Sequence, residues 1–345
     1  MGELSIPELC VPLSGTGVNP RVEEAARSAY AWADSFGLIP GSVPDHMDRG
    51  RFELLSGLYY PTADTETFDL VTQWIVWGTI FDEVMDDGLA EEDPAVSRSA
   101  ISQALACMEL GQHAAPSVIQ ALDELWRRTS AGRSEDWKRS FIGHWREGWR
   151  SSYATLIDRV SGRTPPLAEY MERRRYDIKM LPCADLLEIT EHIDLPEYVR
   201  HLPALESLHN LTADYAGLVN DLVSGEKDLA AGGAHNVMTV LRAQEHCTMQ
   251  EAIDRTGEMA TACVRAYLAA ERDVSEQLNA TGATGRQRAE AIRYARSHRA
   301  TFNGNREWHL TVPRYAQVHS VSDDMRTTYA MDLQKTLRDG SVPAH

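Results

Sequence analysis

The sequence predicts an all-α protein, on three observations. Apolar residues recur at helical spacing in one segment after another. No series of β-branched, alternating segments joined by hairpin turns occurs. Proline and glycine clusters fall where the periodic segments should end. Taken in order, the first helix is expected over Val22 to Phe36, closed by Ile39-Pro40-Gly41-Ser42-Val43-Pro44. Helices follow over Thr67 to Met85, running into Gly88, over Ala95 to Leu110 behind Asp93-Pro94, and over Val118 to Arg128 after Pro116. The next spans Glu135 to Val160 and stops at the segment from Gly162 to Pro166. The last three are expected over Leu202 to Leu229, ended by Gly232-Gly233, over Thr248 to Leu278, ended by Thr281 to Gly285, and over roughly Arg286 to Asn303. No linker, internal repeat or low-complexity stretch divides the chain. It reads as one domain over residues 21–320, with an irregular N-terminal arm (residues 1–20) and a C-terminal tail or lid (residues 321–345).

With 345 residues, 43 % of them hydrophobic, the chain is long enough to bury a sizeable core. Its net charge of −17 argues against nucleic acid as a partner, since phosphate backbones require clustered Lys and Arg. Five cysteines (Cys10, Cys107, Cys183, Cys247, Cys263) are scattered and never in a CxxC spacing, so neither a disulfide framework nor a zinc site is indicated. A reducing cytoplasm is the expected home. Met1-Gly2-Glu3-Leu4-Ser5 lacks the basic and apolar regions of a secretory leader, and no apolar run approaches the ~20 residues of a membrane span.

Two segments concentrate hard oxygen donors. In Asn220-Asp221-Leu222-Val223-Ser224-Gly225-Glu226-Lys227-Asp228, the amide, hydroxyl and carboxylate of Asn220, Ser224 and Asp228 stand four residues apart. On a helix they form one row about 12 Å long. Asn, Ser and the nearby Gly217 are poor helix formers, so their grouping on one side calls for a reason. The second segment is Asp82-Glu83-Val84-Met85-Asp86-Asp87, in which Asp82 and Asp86 share a face. By itself it also fits a solvated acidic helix end. Two such helices facing each other would hold divalent cations, and hard oxygen donors with room for water and phosphate suit Mg²⁺. The run Arg173-Arg174-Arg175 is either solvated surface or a source of one inward guanidinium able to clamp a diphosphate. Trp308, followed by Arg314-Tyr315, offers a large aromatic beside a second guanidinium and a phenol.

Together these segments resemble the class I terpene synthases of bacteria over most of the chain. Phe81-Asp82-Glu83-Val84-Met85-Asp86 resembles the DDxxD motif, with Glu at its second position; Asn220, Ser224 and Asp228 resemble the NSE triad, with Asp for the usual Glu and Lys227 beside it. Arg174 matches the diphosphate-sensing arginine, Asp177 and Ile178 the linker and effector of the helix break, and Arg314-Tyr315 the C-terminal RY pair. Ile178-Lys179 departs from the glycine often found near the effector. The resemblance implies a class I helical bundle around a central apolar cavity and a three-Mg²⁺ ionisation of an isoprenyl diphosphate. Asp82, Glu83 and Asp86 would hold two ions, and Asn220, Ser224 and Asp228 the third. Arg174, Lys227, Arg314 and Tyr315 would donate to the diphosphate. Trp308 and Phe81 would stabilise the carbocation, while Trp74, Trp77, Trp145 and Trp149 are expected in the core. A homodimer would be in keeping with the family.

Gly78 and Thr79 lie one turn beneath Asp82, and with Ala213, Ala216 and Gly217 they predict a roomy cavity. Farnesyl diphosphate is the expected substrate and a sesquiterpene the product, with geranylgeranyl diphosphate as the alternative. A chain-elongating prenyltransferase would need a second aspartate-rich motif where Asn220, Ser224 and Asp228 stand. The remaining rival is a helical protein that binds diphosphates without catalysis. No HExxH pair or Walker loop is present.

Overall fold

The computed structural model describes residues 4–9, 11, 17–41, 43–86, 93–113, 116–230 and 236–313, without the side chains of Pro44, His46, Val84, Asp86 and residues 226–230. The described residues form fourteen helices and no strand. Eight match the expected segments: α1 (Val22–Ser35), α4 (Thr65–Asp86), α5 (Pro94–Leu110), α6 (Ser117–Ser130), α7 (Glu135–Ser161), α11 (Pro203–Ala230), α13 (Met249–Asn279) and α14 (Gly285–Thr311). The other six are short and were not expected: α2 (Val43–Gly50), α3 (Phe52–Tyr59), α8 (Leu167–Asp177), α9 (Met180–Thr190), α10 (Glu197–Arg200) and α12 (Val237–Glu245). α9 is buried on nearly every side, so it carries no amphipathic period to read. α14 runs eight residues beyond the expected Asn303, which puts Asn305, Trp308 and His309 on a helix.

Helix starts follow local chemistry. Capping boxes open α13 (Thr248 with Glu251) and α14 (Thr284 with Gln287), satisfying orphan N–H groups at both ends of the exchange. Asn236 caps α12 by accepting from the Met238 N–H at 3.0 Å. The described N-terminal residues lie along α13, where Ser5 exchanges two hydrogen bonds with the Gln250 side chain at 3.0 and 2.9 Å. Gly257 allows this approach, because a Cβ there would meet Pro7 Cγ at 2.3 Å.

Two helices organise the interior. α4 packs against α1, α3, α6, α7 and α9, while α11 packs against α8, α9, α13 and α14. α9 therefore touches both. α4 is anchored by interleaved aromatics: Trp77 stacks on Phe81 (5.0 Å), Trp74 on Trp145 of α7 (5.8 Å), and Trp145 lies 5.1 Å from Trp149. Each such pair adds about 0.5–1.5 kcal/mol beyond its buried area. Where α7, α9, α11 and α14 meet, His209 stacks on His298 at 4.8 Å, and His144 Nδ1 lies 2.6 Å from the buried Asp185 carboxylate. Burial holds the His298 imidazole down at about 4 and His209 well below its usual value.

Candidate active site

A cavity of about 190 Å³ lies between these layers. Asp82 and Glu83 reach it from α4 and Asn220 from α11, while Ile178 and Lys179 enter at the junction of α8 and α9. Its wall is otherwise mostly apolar. Phe52 and Leu55 come from α3, Trp74 and Ile75 from α4, Trp145 from α7, and Met180 and Leu186 from α9.

The α11 half is built around Asp221, the neighbour of Asn220. Its carboxylate is almost fully buried and accepts from Tyr170 OH at 2.6 Å, the Val237 N–H at 3.0 Å and Arg174 Nε at 3.1 Å. Burial beside that carboxylate holds the Tyr170 phenol well above its usual range. The guanidinium thus fixed donates from Nη2 to Asn220 Oδ1 at 2.6 Å and from Nη1 to Asp177 at 3.1 Å. Asn220 Nδ2 in turn lies 3.0 Å from His309 Nε2, whose other nitrogen is 2.8 Å from the Asn305 carbonyl. That pairing makes Nδ1 the protonated position and Nε2 the acceptor. Ser224, one turn along α11, is buried.

The α4 half is held differently. Lys179 Nζ donates to Asp82 Oδ1, to Ser152 Oγ at 2.5 Å and to Asp177 Oδ1 at 3.3 Å. Ser152 Oγ also lies 2.6 Å from Asp177 Oδ1. Desolvation would raise the Asp177 carboxyl, yet the Lys179 and Arg174 cations bring it down to about 2. The helix breaks here because Lys179 adopts φ 54°, a left-handed conformation that ends α8 and starts α9.

Several expectations need correction. Phe81 packs against Trp77 and Trp149 in the core and is not among the cavity-lining residues, whereas Trp74 and Trp145 are. The cause is rotation along α4: Trp74, Ile75, Gly78, Thr79 and Asp82 share one face, and Phe81 points to α7. Trp308 does line the cavity, locked by donation from Nε1 to Gly50 O at 2.8 Å and by Phe52 at 5.8 Å. Gly78 and Thr79 line it too, and a Cβ on Gly78 would meet Trp145 at 3.2 Å. Ala213, Ala216 and Gly217 do not. Gly217 instead admits the stem of Arg174, whose Cγ would lie 3.0 Å from an added Cβ. Arg173 and Arg175 turn to Asp158 and Asp214, leaving Arg174 as the inward member of the triplet. Arg314 and Tyr315 lie outside the described residues, as do the side chains of Asp86, Lys227 and Asp228.

Sequence reasoning did not single out Asp221, Lys179, Asn305, His309, Ser152 or Tyr170 for the site. The helical period continuing through His298, Phe302, Asn305 and His309 was the available signal for two of them.

The oxygens that border the cavity from the two helices are the Asp82 and Glu83 carboxylates and the Asn220 amide, a set that fits a hard divalent cation, while Ser224 is buried and not among the lining residues. Among the described residues no three His, Cys, Asp or Glu gather closely enough to hold an ion. A cation would therefore draw on both helices, its shell completed by water or by substrate oxygens. Residues 73–266 match the family model for terpene synthase family 2, C-terminal metal binding. The (2Z,6E)-hedycaryol synthase of Kitasatospora setae is 32 % identical over 96 % of this chain and 99 % of its own.

The chain belongs to the bacterial class I terpene synthases.

This terpene synthase is also 27 % identical to the (+)-T-muurolol synthase of Roseiflexus castenholzii, covering 91 % of this chain and 95 % of that one. A solved hedycaryol synthase in complex with HEPES superposes with a TM-score of 0.80 at 30 % identity, over 90 % of this chain and 99 % of that one. The protein is accordingly an enzyme with the all-α fold of its family, a metal-binding terpene cyclase acting on an isoprenyl diphosphate. No helix among the described residues is long and apolar enough to cross a membrane.

Proposed function

We propose that this enzyme uses three Mg²⁺ to ionise farnesyl diphosphate and cyclises the resulting cation to a sesquiterpene. One observation carries the reading: the Asp82 carboxylate of α4 and the Asn220 amide of α11 border the same largely apolar cavity. Asp82, Glu83 and Asp86 would hold two ions, and Asn220, Ser224 and Asp228 the third. Bound there, the ions would neutralise charge developing on the departing diphosphate. Arg174, Lys227, Arg314 and Tyr315 are assigned as diphosphate donors. Asp177 tethers Arg174 to the break at Ile178, so a guanidinium engaged by diphosphate can pull on the backbone facing the cavity.

After ionisation the chain's task is to exclude water and solvate a cation with aromatic faces. Trp308, Trp74 and Trp145 supply those faces, each worth ~2 kcal/mol when desolvated. The small residues of α11 lie outside the wall, which removes part of the case for a C20 substrate. The Roseiflexus relative is described as cyclising (2E,6E)-farnesyl diphosphate, which supports C15. Incubation with C10, C15 and C20 diphosphates and Mg²⁺, followed by mass spectrometry of volatiles, tests this. Product from the C20 substrate alone overturns the farnesyl assignment. A cytoplasmic homodimer is our reading of the assembly, testable by sedimentation.

A further inference from the structure

Both sides of the candidate metal site are occupied by basic side chains from a single chain break. Arg174, at the end of α8, reaches Asn220, and Lys179, five residues on, reaches Asp82. The lysine is the less expected of the two. It adopts a left-handed φ of 54°, which a residue with a Cβ takes up only against a conformational cost. What offsets that cost is visible around its ammonium: Asp82 Oδ1, Ser152 Oγ at 2.5 Å and Asp177 Oδ1 at 3.3 Å. α7 is notched to receive it. A Cβ on Gly148 would lie 3.2 Å from the Tyr176 carbonyl and 3.7 Å from Lys179 Cγ. The ammonium is the more buried partner, its side chain 14 % exposed against 37 % for Asp82.

We propose that Lys179 is the resident counter-cation of Asp82 in the metal-free enzyme, and that a divalent ion reaches this carboxylate by displacing it. The inference rests on the assignment of Asp82 as a metal ligand. The Lys179 ammonium bonded to Oδ1 repels a divalent ion brought to the same carboxylate, so the ion pair competes with metal binding through like charge. The displaced ammonium keeps Ser152 and Asp177 within reach, and Asp177 also binds Arg174. Metal arrival at α4 is thereby felt at the chain break that carries the diphosphate-facing arginine. Lys179 is a positioning residue in this scheme.

The test is titration of the full-length protein with Mn²⁺, without substrate, following free Mn²⁺ by paramagnetic resonance. Lys179→Met removes the charge, retains the stem and leaves the left-handed backbone cost unrelieved. Its Mn²⁺ midpoint should fall about tenfold, a tightening that a purely structural role would not produce. Ser152→Ala, which loosens the lysine without touching a proposed ligand, should shift the midpoint the same way by a smaller factor. A midpoint unchanged or weakened in a folded Lys179→Met overturns the proposal. If that variant does not fold, an unchanged midpoint in Ser152→Ala overturns it instead. Asp82→Asn separates the two readings: wild-type Mn²⁺ binding there sinks the ligand assignment itself, whereas lost binding with an unmoved Lys179→Met sinks only the displacement.

Discussion

The two helices that face the cavity hold their polar ends in opposite ways. On α11 the turn that carries Asn220 rests on Asp221, whose side chain is 2 % exposed and is tied to a phenol, a backbone N–H and a guanidinium. On α4 the corresponding carboxylate, Asp82, is 37 % exposed and is held by one lysine from a strained turn. Satisfied buried networks are rigid, because every alternative leaves a polar group unpaired. A carboxylate more than a third exposed and paired with one ammonium exchanges that partner more readily than a buried, multiply bonded one. The candidate site therefore pairs an Asn220 side chain fixed through Arg174 and Asp221 with an Asp82 carboxylate held by an ion pair to Lys179, an arrangement suited to taking up ions and substrate in turn.

The largest expected effect separates chemistry from stability. Asp82→Ala should reduce diphosphate release by at least about a thousandfold, yet leave the thermal midpoint within a few degrees of wild type; a large loss of stability would show that α4 is not the adjustable half. Asp221→Ala should do the reverse first, costing ~3–5 kcal/mol in a denaturant titration because Arg174 and Tyr170 lose a buried charged partner. A stability near wild type in that variant would remove the distinction between the halves.

An acid titration probes a second buried contact of α11, where its His209 stacks on His298 of α14. His209 and His298 have folded-state values held below the unfolded one, so the unfolded chain binds protons first. Stability is therefore lost as pH falls below about 6.5 and continues to fall until about 4, amounting to ~3 kcal/mol for His298. His144 contributes in the opposite sense: desolvation lowers it, but Asp185 raises it above its usual value. His298→Phe should show a shallower decline in thermal midpoint between pH 6.5 and 4 than wild type, and an identical slope would discard this account. The smallest effect is expected at Gly217→Ala, about 1 kcal/mol or a several-fold loss of turnover, since Arg174 must yield only a few tenths of an ångström. Steady-state kinetics of that variant would report whether the α11 half tolerates any adjustment.

Long helices such as Met249–Asn279 and Glu135–Ser161 were legible because they keep a periodic apolar face. Of the short ones, α3 and α9 were not, since they are buried on nearly every side, polar residues included, and are bounded by left-handed residues no local rule foretells, Arg51 and Lys179. Asp82, Asn220 and Ser224 drew attention through spacing, because a helix turns i and i+4 to one side wherever it sits, whereas Arg174 was selected from its triplet only by the family resemblance.

What spacing left open was the partner of each group. Asp221 reads as one more acidic residue, and only its burial under Tyr170 makes it the anchor of Arg174. Trp74 and Trp145 read as core, and the cavity passing their faces was decided by how α4 and α7 rotate against each other. The sequence by itself determined an all-α chain bearing two oxygen-rich helical segments and an arginine in the family's spacing. Tertiary packing alone decided which of them meet, which aromatics face the cavity, and that a lysine answers Asp82. Local periodicity fixes the direction of a side chain relative to its own helix, whereas its neighbours depend on the crossing of helices far apart in the chain.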